Sequence, residues 1–311
     1  MSRQSILPLV CLAFIPLSCD QGGFRMGHDG GDTASPHGAV FLGGSISTPG
    51  AVRGDDTDLP EEPSAGKAWV QKVPGTAIDL VMRPVPDAPG GALWVMEHEL
   101  TWNLFDIFIF RLDEKKGGST PATDAVTRPT KPYIAVDRGF GHDDYPAISM
   151  SYKGAVQFAE WMRAKTGRNF QIPTVEQWSM IAASAGIPAD AVEDYGWDAK
   201  NSDETTHPIG QKKSDALGLK DLYGNVAEWC TAKNDKGEPT GVVMGGGYES
   251  PAKDLNATST VERTFMWNDS DPQFPKSVWW LADAAFVGLR LVCLEGTPEP
   301  TTSEEKTDDQ K

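Results

Sequence analysis

The sequence is short of basic residues, of cysteine and of long apolar runs, and each shortage excludes a class of protein. Its 28 Lys and Arg residues stand against 44 Asp and Glu residues, which gives a formal net charge of −16. A surface of that sign repels phosphate backbones and anionic headgroups, so we expect no nucleic-acid partner. No stretch is long and apolar enough to cross a bilayer, so membrane attachment is expected only through an N-terminal lipid anchor.

The first residues have the pattern of an export signal. Arg3 precedes an apolar run over residues 6–17, which ends just before Cys19. A short apolar segment behind a positive charge is typical of a cleaved signal. It resembles a bacterial lipoprotein signal, with Pro16 in place of the usual leucine, which predicts a signal peptide over 1–18, a lipid on Cys19 and an exported, membrane-anchored protein. A simple secretory signal, and a cytoplasmic protein with an unusual N-terminus, are the alternatives.

Composition divides the remaining chain into a tether, a globular block and a tail. Residues 19–66 and 295–311 are rich in Gly, Pro, Ser and acidic residues, and such segments bury too little apolar surface to fold alone. Residues 67–294 carry the helix and strand patterns and no repeat of fixed period. With 39% hydrophobic residues and 10 tryptophans, the chain can build a sizeable core.

Two helices and two strands are predicted inside the block. A 3.6-residue apolar period marks the first helix, which ends at Gly167, and Thr174 with Gln177 forms a capping box at the start of the second. Residues 241–248 are a short apolar strand that runs into glycines. Residues 287–293 alternate, with four apolar side chains on one face: Val287, Leu289, Leu291 and Cys293. The block is therefore expected to be α+β.

Two of the four cysteines are left for the folded domain. Cys11 lies in the predicted signal and Cys19 would carry the lipid, which leaves Cys230 and Cys293. An even pair in an oxidising compartment predicts a disulfide between them. Two buried free thiols are the alternative.

Five segments, in order, resemble the sulfatase-modifying factor family, the group that includes the formylglycine-generating enzyme. They contain the sequences WVMEHELTWNLFDIF, YPAISMSYKGAVQFAEWMRAKTGRNFQIPTVEQWSMIAASAG, THPIGQKKSDALGLKDLYGNVAEWC, VVMGGGY and VGLRLV. The resemblance implies a single compact domain related to the C-type lectin fold, with two main helices, small antiparallel sheets and much irregular structure. The family includes both enzymes and non-enzymatic members, so the fold does not decide the function.

The copper site of the family's oxidases is expected to be absent. The resemblance places their two copper-binding cysteines between the glycine-rich and closing strands, but residues 249–286 contain no cysteine. Copper(I) needs thiolates or comparably soft ligands. The glycine-rich strand also lacks the family's serine, because Gly247 stands there. His142, beside Asp143 and Asp144, could join another metal site, although a solvated loop is the preferred interpretation.

The resemblance also implies a structural calcium site in the sequence GNVAEW. The side chain of Asn225, the carbonyl of Val226 and the carboxylate of Glu228 are hard oxygen ligands of the kind that calcium takes. Ala227 replaces the tryptophan usual in the family. The alternative is a turn in which Asn225 caps backbone groups and Glu228 meets a basic partner such as Arg290.

The family's substrate groove is expected in the loop-rich part of the chain over residues 245–286. Tyr248, Trp267, Trp279 and Trp280 would form a platform for a peptide, protein or glycan if exposed, and core if buried. The sequence therefore predicts an exported protein with a non-oxidase binding or scaffolding role in the cell envelope. A formylglycine-generating or other metal-dependent oxidase is the alternative, so enzymatic activity stays open.

Overall fold

The computed structural model describes residues 58–295, apart from 90 and 133. The predicted signal peptide, the lipidation at Cys19, most of the predicted tether and nearly all of the predicted tail lie outside the described residues. No helix in the described part of the chain is both long and apolar enough to cross a membrane.

Short strands and helices alternate along the domain. The strands are β1 (Trp69–Lys72), β2 (Asp79–Val85), β3 (Leu93–Met96), β4 (Asn169–Gln171), β5 (Ala227–Lys233), β6 (Pro239–Met244), β7 (Thr260–Glu262), β8 (Val287–Gly288) and β9 (Val292–Leu294). The α-helices are α1 (Trp102–Phe110), α2 (Pro121–Ala125), α3 (Tyr152–Thr166), α4 (Val175–Ala185) and α5 (Val192–Tyr195). The two long helices predicted from the sequence are α3 and α4.

The strands form two small sheets. The first has five strands in the order β1-β2-β3-β9-β4, and the second has four in the order β7-β6-β5-β8. All pairs of the first sheet are antiparallel, whereas β5 and β8 pair in parallel. The predicted α+β architecture is confirmed, with that one parallel pair as a correction to its antiparallel sheets.

Local capping interactions define both long helices. Ser151 accepts a hydrogen bond from the backbone N–H of Gly154 at the start of α3, and Gly167 ends that helix with a φ of 69°. Thr174 and Gln177 form the predicted capping box at the start of α4. A left-handed conformation costs glycine little, so the sequence itself determines where α3 stops.

The closing segment over 287–293 connects the two sheets. Its first two residues form β8 in the second sheet, and Val292 begins β9 in the first. The segment is buried throughout, including Arg290, which is 1% exposed. The predicted single alternating strand is therefore wrong: the chain crosses between sheets at this point, so both of its faces are covered.

Part of the predicted tether lies against the first sheet. The backbone carbonyl of Pro60 accepts a hydrogen bond of 2.8 Å from the N–H of Val70 in β1. Glu62 forms an ion pair of 2.9 Å with Arg168, whose guanidinium also lies over the ring of Trp69. Contacts with the domain thus begin several residues before position 67.

Candidate functional site

The motif over 224–229 forms a buried polar centre between the sheets. Glu228 lies on β5, where its Oε1 accepts a hydrogen bond of 2.7 Å from Nε of Arg290. Its Oε2 accepts a second, also of 2.7 Å, from the indole N–H of Trp178 in α4. Glu228 is 0% exposed and both partners are 1% exposed. Both carboxylate oxygens are therefore already bound by protein donors.

Arg290 also binds backbone carbonyls of two other segments. One terminal nitrogen donates to the carbonyls of Met96 and Glu97, at 3.0 and 2.7 Å. The other donates to the carbonyls of Lys220 and Asp221, at 2.9 and 3.1 Å. The guanidinium of Arg290 thus binds three segments at once: the end of β3, the loop before residue 224, and β5.

Asn225 connects a second set of segments in the same centre. Its Oδ1 accepts a hydrogen bond of 2.9 Å from the N–H of His207, and its Nδ2 donates to Oε2 of Glu99 at 2.7 Å. The N–H of Val226 donates to the other oxygen of Glu99 at 3.1 Å. Asn225 has a φ of 51°, which Asn adopts more readily than most residues. The residue therefore acts as a turn cap, as the alternative interpretation of this motif proposed.

These hydrogen bonds do not suit the predicted calcium site. An ion at Glu228 would compete with the guanidinium of Arg290, and the Asn225 oxygen already accepts a hydrogen bond. Calcium binding by Asn225, Val226 and Glu228 stays a prediction, and the hydrogen-bond donors that already occupy the Asn225 and Glu228 oxygens do not favour it.

We expect calcium to leave the melting temperature of the protein unchanged, whereas a ligand that binds the folded state would raise it when present in excess. A rise with calcium that disappears in Glu228→Gln would contradict this expectation.

Three buried carboxylates share this centre with one guanidinium. Glu99, Asp221 and Glu228 are each at most 1% exposed. Burial, and next the charge of Asp221, raise the pKa of Glu99 well above its ordinary value. Burial also raises the pKa of Glu228, although Arg290 opposes it. The centre thus depends strongly on Arg290 for its charge balance.

The two cysteines of the domain lie in different sheets. Cys230 pairs with Val242 in the second sheet, whereas Cys293 lies between Trp94 and Phe170 in the first. Both are buried free thiols. The predicted disulfide is therefore wrong, and the alternative of two buried thiols is confirmed. The physical reason is that separate strands of separate sheets hold the two side chains.

Neither thiol should react in the folded protein. Burial raises the pKa of Cys230 well above its ordinary value, and it raises the pKa of Cys293 to about 12. Because the thiolate is the reactive form, we expect alkylation of both only after denaturation. Intact mass should be the same with and without reductant. A gain of two protons per chain on reduction would contradict the assignment.

The four aromatic residues of the predicted groove are buried. Tyr248 and Trp267 are 7% exposed, Trp279 is 9% and Trp280 is 1%. Trp267 packs on Trp229 of β5, and the indole N–H of Trp280 donates to the carbonyl of Thr130. Of the two interpretations, the structure shows core packing and no aromatic platform at these residues.

A different set of apolar side chains is exposed in the same part of the chain. Phe274 is 100% exposed, Phe265 82%, Met266 63%, Val278 54% and Val261 46%. We call these five residues the apolar surface. Sequence reasoning missed them, although Phe274 lies in Asp-Pro-Gln-Phe-Pro, where two prolines prevent helix and strand packing. The other large exposed hydrophobic residues in the described ranges, Phe110 and Leu112, are each only 37% exposed.

Hydrogen bonds hold the loop that presents Phe274. Asn268 donates to Asp271 and to the carbonyl of Ser277, and its Oδ1 accepts from the N–H of Ala282 at 2.8 Å. Asp271 accepts from the N–H groups of Ser277 and Gln273, at 2.6 and 2.8 Å. The loop therefore holds its shape by internal bonds while its largest apolar side chain points to solvent.

The histidines of the described residues do not gather at a metal position. His142 lies beside Asp106 and Asp137, and its neighbours Asp143 and Asp144 do not join it around one point. His98 is partly buried and pairs with Glu97 at 3.1 Å. Within the described ranges, no three His, Cys, Asp or Glu side chains are placed to hold a metal ion.

Comparisons with known proteins agree with this architecture. Residues 82–292 match the model of the family described as the sulfatase-modifying factor enzyme 1-like domain. Treponema denticola variable protein 1 is one solved structure that aligns with the chain. It is 16% identical, the alignment covers 73% of this chain and 99% of that chain, and the TM-score is 0.49. PvdO from Pseudomonas aeruginosa is another, with 15% identity, 75% coverage of this chain, 100% of that chain and a TM-score of 0.48.

Curated relatives match over shorter stretches. Chaperone protein LppX from Paenibacillus barcinonensis is 47% identical over 126 residues, which are 32% of this chain and 42% of that protein. Serine/threonine-protein kinase pkn1 from Chlamydia pneumoniae is 30% identical over 96 residues, which are 29% of this chain and 14% of that protein. The chain thus spans less than half the length of either relative.

Proposed function

From the premise that this chain belongs to the sulfatase-modifying factor enzyme 1-like family, we propose that it is a non-oxidase binding or scaffolding protein of the bacterial cell envelope. It would be exported and either anchored by a lipid on Cys19 or secreted. Its ligand would be an extended, apolar segment of another protein. The alternative is an oxidase of the formylglycine-generating type, or one that uses another metal.

The position of the cysteines is the observation that carries this proposal. A copper–thiolate centre needs two thiolates that converge on one ion and are accessible to substrate. Cys230 and Cys293 lie in different sheets, are at most 3% exposed, and have raised thiol pKa values. Neither can supply such a centre without refolding of a sheet.

The apolar surface supports binding of a protein ligand. Clustered exposed apolar side chains commonly mark an interaction site, and these five are close together in the sequence. The five side chains fall within residues 261–278, and the internal hydrogen bonds of Asn268 and Asp271 hold their loop in place before any ligand arrives. A preformed loop loses little conformational entropy on binding, which favours affinity.

Strand β7 adds a backbone contribution to this surface. It lies at the end of the second sheet, pairs with β6 on one side, and all three of its residues are exposed. An edge strand presents unpaired N–H and C=O groups to which an extended peptide can add as a further strand. Val261 lies on β7, and Phe265 and Met266 begin two residues after its end, so backbone pairing and apolar contacts would be available together.

Charge restricts the ligand further. Over residues 245–286 the chain has six acidic residues and three basic ones. The acidic residues are Glu249, Asp254, Glu262, Asp269, Asp271 and Asp283, and the basic residues are Lys253, Arg263 and Lys276. A neutral or basic peptide therefore suits this surface better than an acidic one. One partial relative is named a chaperone, which is consistent with a protein ligand.

Peptide binding by the full chain tests the proposal. The probe is a fluorescent peptide of alternating valine and threonine with terminal lysines, followed by fluorescence anisotropy. Phe265→Ser combined with Phe274→Ser should weaken binding at least about tenfold, since exposed aromatic anchors commonly dominate such interfaces. A peptide with a central proline should bind more weakly, because it cannot pair along an edge strand.

Phe110→Ser is the matched control. Phe110 is an exposed phenylalanine on α1 and lies outside the apolar surface, so its replacement should leave the affinity unchanged. Equal affinity of the wild type, the double variant and the control would contradict the proposed binding surface.

A further inference from the structure

The imidazole of His142 lies between two carboxylates from different parts of the fold. Its Nε2 is 2.8 Å from Oδ2 of Asp106, on α1, and its Nδ1 is 3.6 Å from Oδ2 of Asp137. The ring stacks on the indole of Trp102 with a centroid distance of 5.2 Å and an interplanar angle of 12°. Its side chain is 43% exposed, so protons can reach it from solvent.

This arrangement suits the imidazolium better than the neutral ring. A neutral imidazole donates from one nitrogen only, and its other nitrogen would turn a lone pair toward a carboxylate. The imidazolium donates from both nitrogens, and its charge is attractive to both acids. Contact with two carboxylates therefore depends on the proton that His142 carries.

The charged groups that act on this ring are three aspartates. Asp106 faces it from α1, Asp137 from the start of the loop, and Asp143 from the next position in the chain. The hydrogen bond with Asp106 is the largest influence, and it raises the pKa of His142 above the ordinary value of 6.5 despite partial burial. The contribution of this contact to stability is complete below pH 6.5 and is lost as pH rises through the higher pKa of the folded state.

The loop over 137–144 contacts both α1 and Tyr248. The N–H of Asp144 donates to the side chain of Asn103 in α1 at 2.8 Å, and Phe140 packs against Tyr248 with a centroid distance of 5.5 Å. Burial would raise the pKa of Asp283, but its hydrogen bonds with Ser270, one of 2.7 Å from the backbone N–H, and the charge of Arg138 outweigh it and hold the pKa below its ordinary value. The loop over 137–144 is therefore held to α1 through Asn103 and to Tyr248 through Phe140.

We propose that protonated His142 holds the loop over 137–144 to α1, and that loss of its proton releases this loop and its contact with Tyr248. The fold thereby contains a pH-sensitive latch between α1 and this loop. The latch itself does not rest on the proposed binding function, because its opening can be measured without any ligand.

Two measurements on the full chain test the latch. The first is an NMR titration of the His142 Cε1–H, in which the midpoint should lie above 6.5 and fall in both Asp106→Asn and Asp137→Asn. The second is hydrogen exchange of the amides over 137–144, corrected for the intrinsic rate at each pH. Protection should be lost as pH rises through the His142 midpoint, and His142→Gln should show low protection at every pH.

His98→Gln is the matched control, because His98 also pairs with a carboxylate but contacts Gly210 and not this loop. It should leave the exchange of residues 137–144 unchanged. A midpoint at or below 6.5, or loop protection that is the same on both sides of the midpoint, would overturn the proposal. So would a midpoint that stays unchanged in Asp106→Asn, because Asp106 is the carboxylate through which His142 holds the loop to α1.

Discussion

Arg290→Ala is expected to lower the free energy of unfolding by at least about 3–5 kcal/mol, the cost of removing one partner of a buried ion pair. Three observations place the expected loss of unfolding free energy at or above this range. The guanidinium is 1% exposed, it is bonded to the 0% exposed carboxylate of Glu228, and it donates to four backbone carbonyls from two other segments. Since single domains are stable by only about 5–15 kcal/mol, the variant should be close to unfolded at 25 °C.

Urea unfolding followed by tryptophan fluorescence measures this loss. Arg263→Ala is the control: Arg263 is exposed, and its replacement should change stability by less than about 0.5 kcal/mol. Arg290→Met combined with Glu228→Gln should be more stable than Arg290→Ala, because no uncompensated charge then remains at Glu228, while glutamine keeps an acceptor for Trp178. Equal stability of Arg290→Ala and the wild type would show that the buried centre does not support the fold.

Asp113→Asn is expected to be the second most destabilising change, at about 3–5 kcal/mol. Asp113 is 0% exposed and binds two buried cations: Arg128 at 3.0 Å and Lys165 of α3 at 2.8 Å. The side chains of Arg128 and Lys165 are 2% and 1% exposed. Removal of the carboxylate charge would leave two cations buried together without a counterion, which is more costly than the loss of one hydrogen bond.

The same ion triad predicts a loss of stability in acid. Burial alone would raise the pKa of Asp113, but hydrogen bonds and charge from Arg128 and Lys165 outweigh it, and the pKa lies below its ordinary value of 3.8. The stabilising contribution is therefore complete above pH 3.8 and is lost as pH falls through the lower pKa of the folded state. The difference in unfolding free energy between the wild type and Asp113→Asn should be large at pH 7 and should shrink in acid.

Glu114→Gln is the control for the triad. Glu114 is the next residue in the chain, and its ion pair with Arg111 is solvent-exposed, so the change should cost less than about 1 kcal/mol at any pH. If Asp113→Asn and Glu114→Gln were equally stable at pH 7, the buried triad would not contribute as argued.

Features set by neighbouring residues could be predicted from the sequence. The capping box of Thr174 and Gln177 and the stop at Gly167 depend on hydrogen bonds and backbone geometry within a few residues, so the helices followed from local chemistry. Arg290 was also named as the alternative partner of Glu228. Its four backbone carbonyl acceptors were not foreseen, because they come from segments far apart in the chain.

Features that depend on which segments meet could not be predicted. An even number of cysteines suggested a disulfide, but Cys230 and Cys293 belong to different sheets, a matter of topology and not of counting. The alternation of residues 287–293 was real, yet Arg290 is buried with its neighbours because the segment crosses between sheets. For the same reason Trp280 is core whereas Phe274 is fully exposed, although both are aromatic residues of one loop-rich region.

We propose that this family member has no working thiol–copper oxidase site and binds its ligand without converting it. Turnover tests it most directly. The full chain is supplied with copper(I), reductant, oxygen and a Cys-type sulfatase peptide, and conversion of the peptide cysteine to formylglycine is followed by mass spectrometry. We predict no conversion above that of copper alone. Conversion that requires the protein and is abolished by Cys230→Ser or Cys293→Ser would contradict the account.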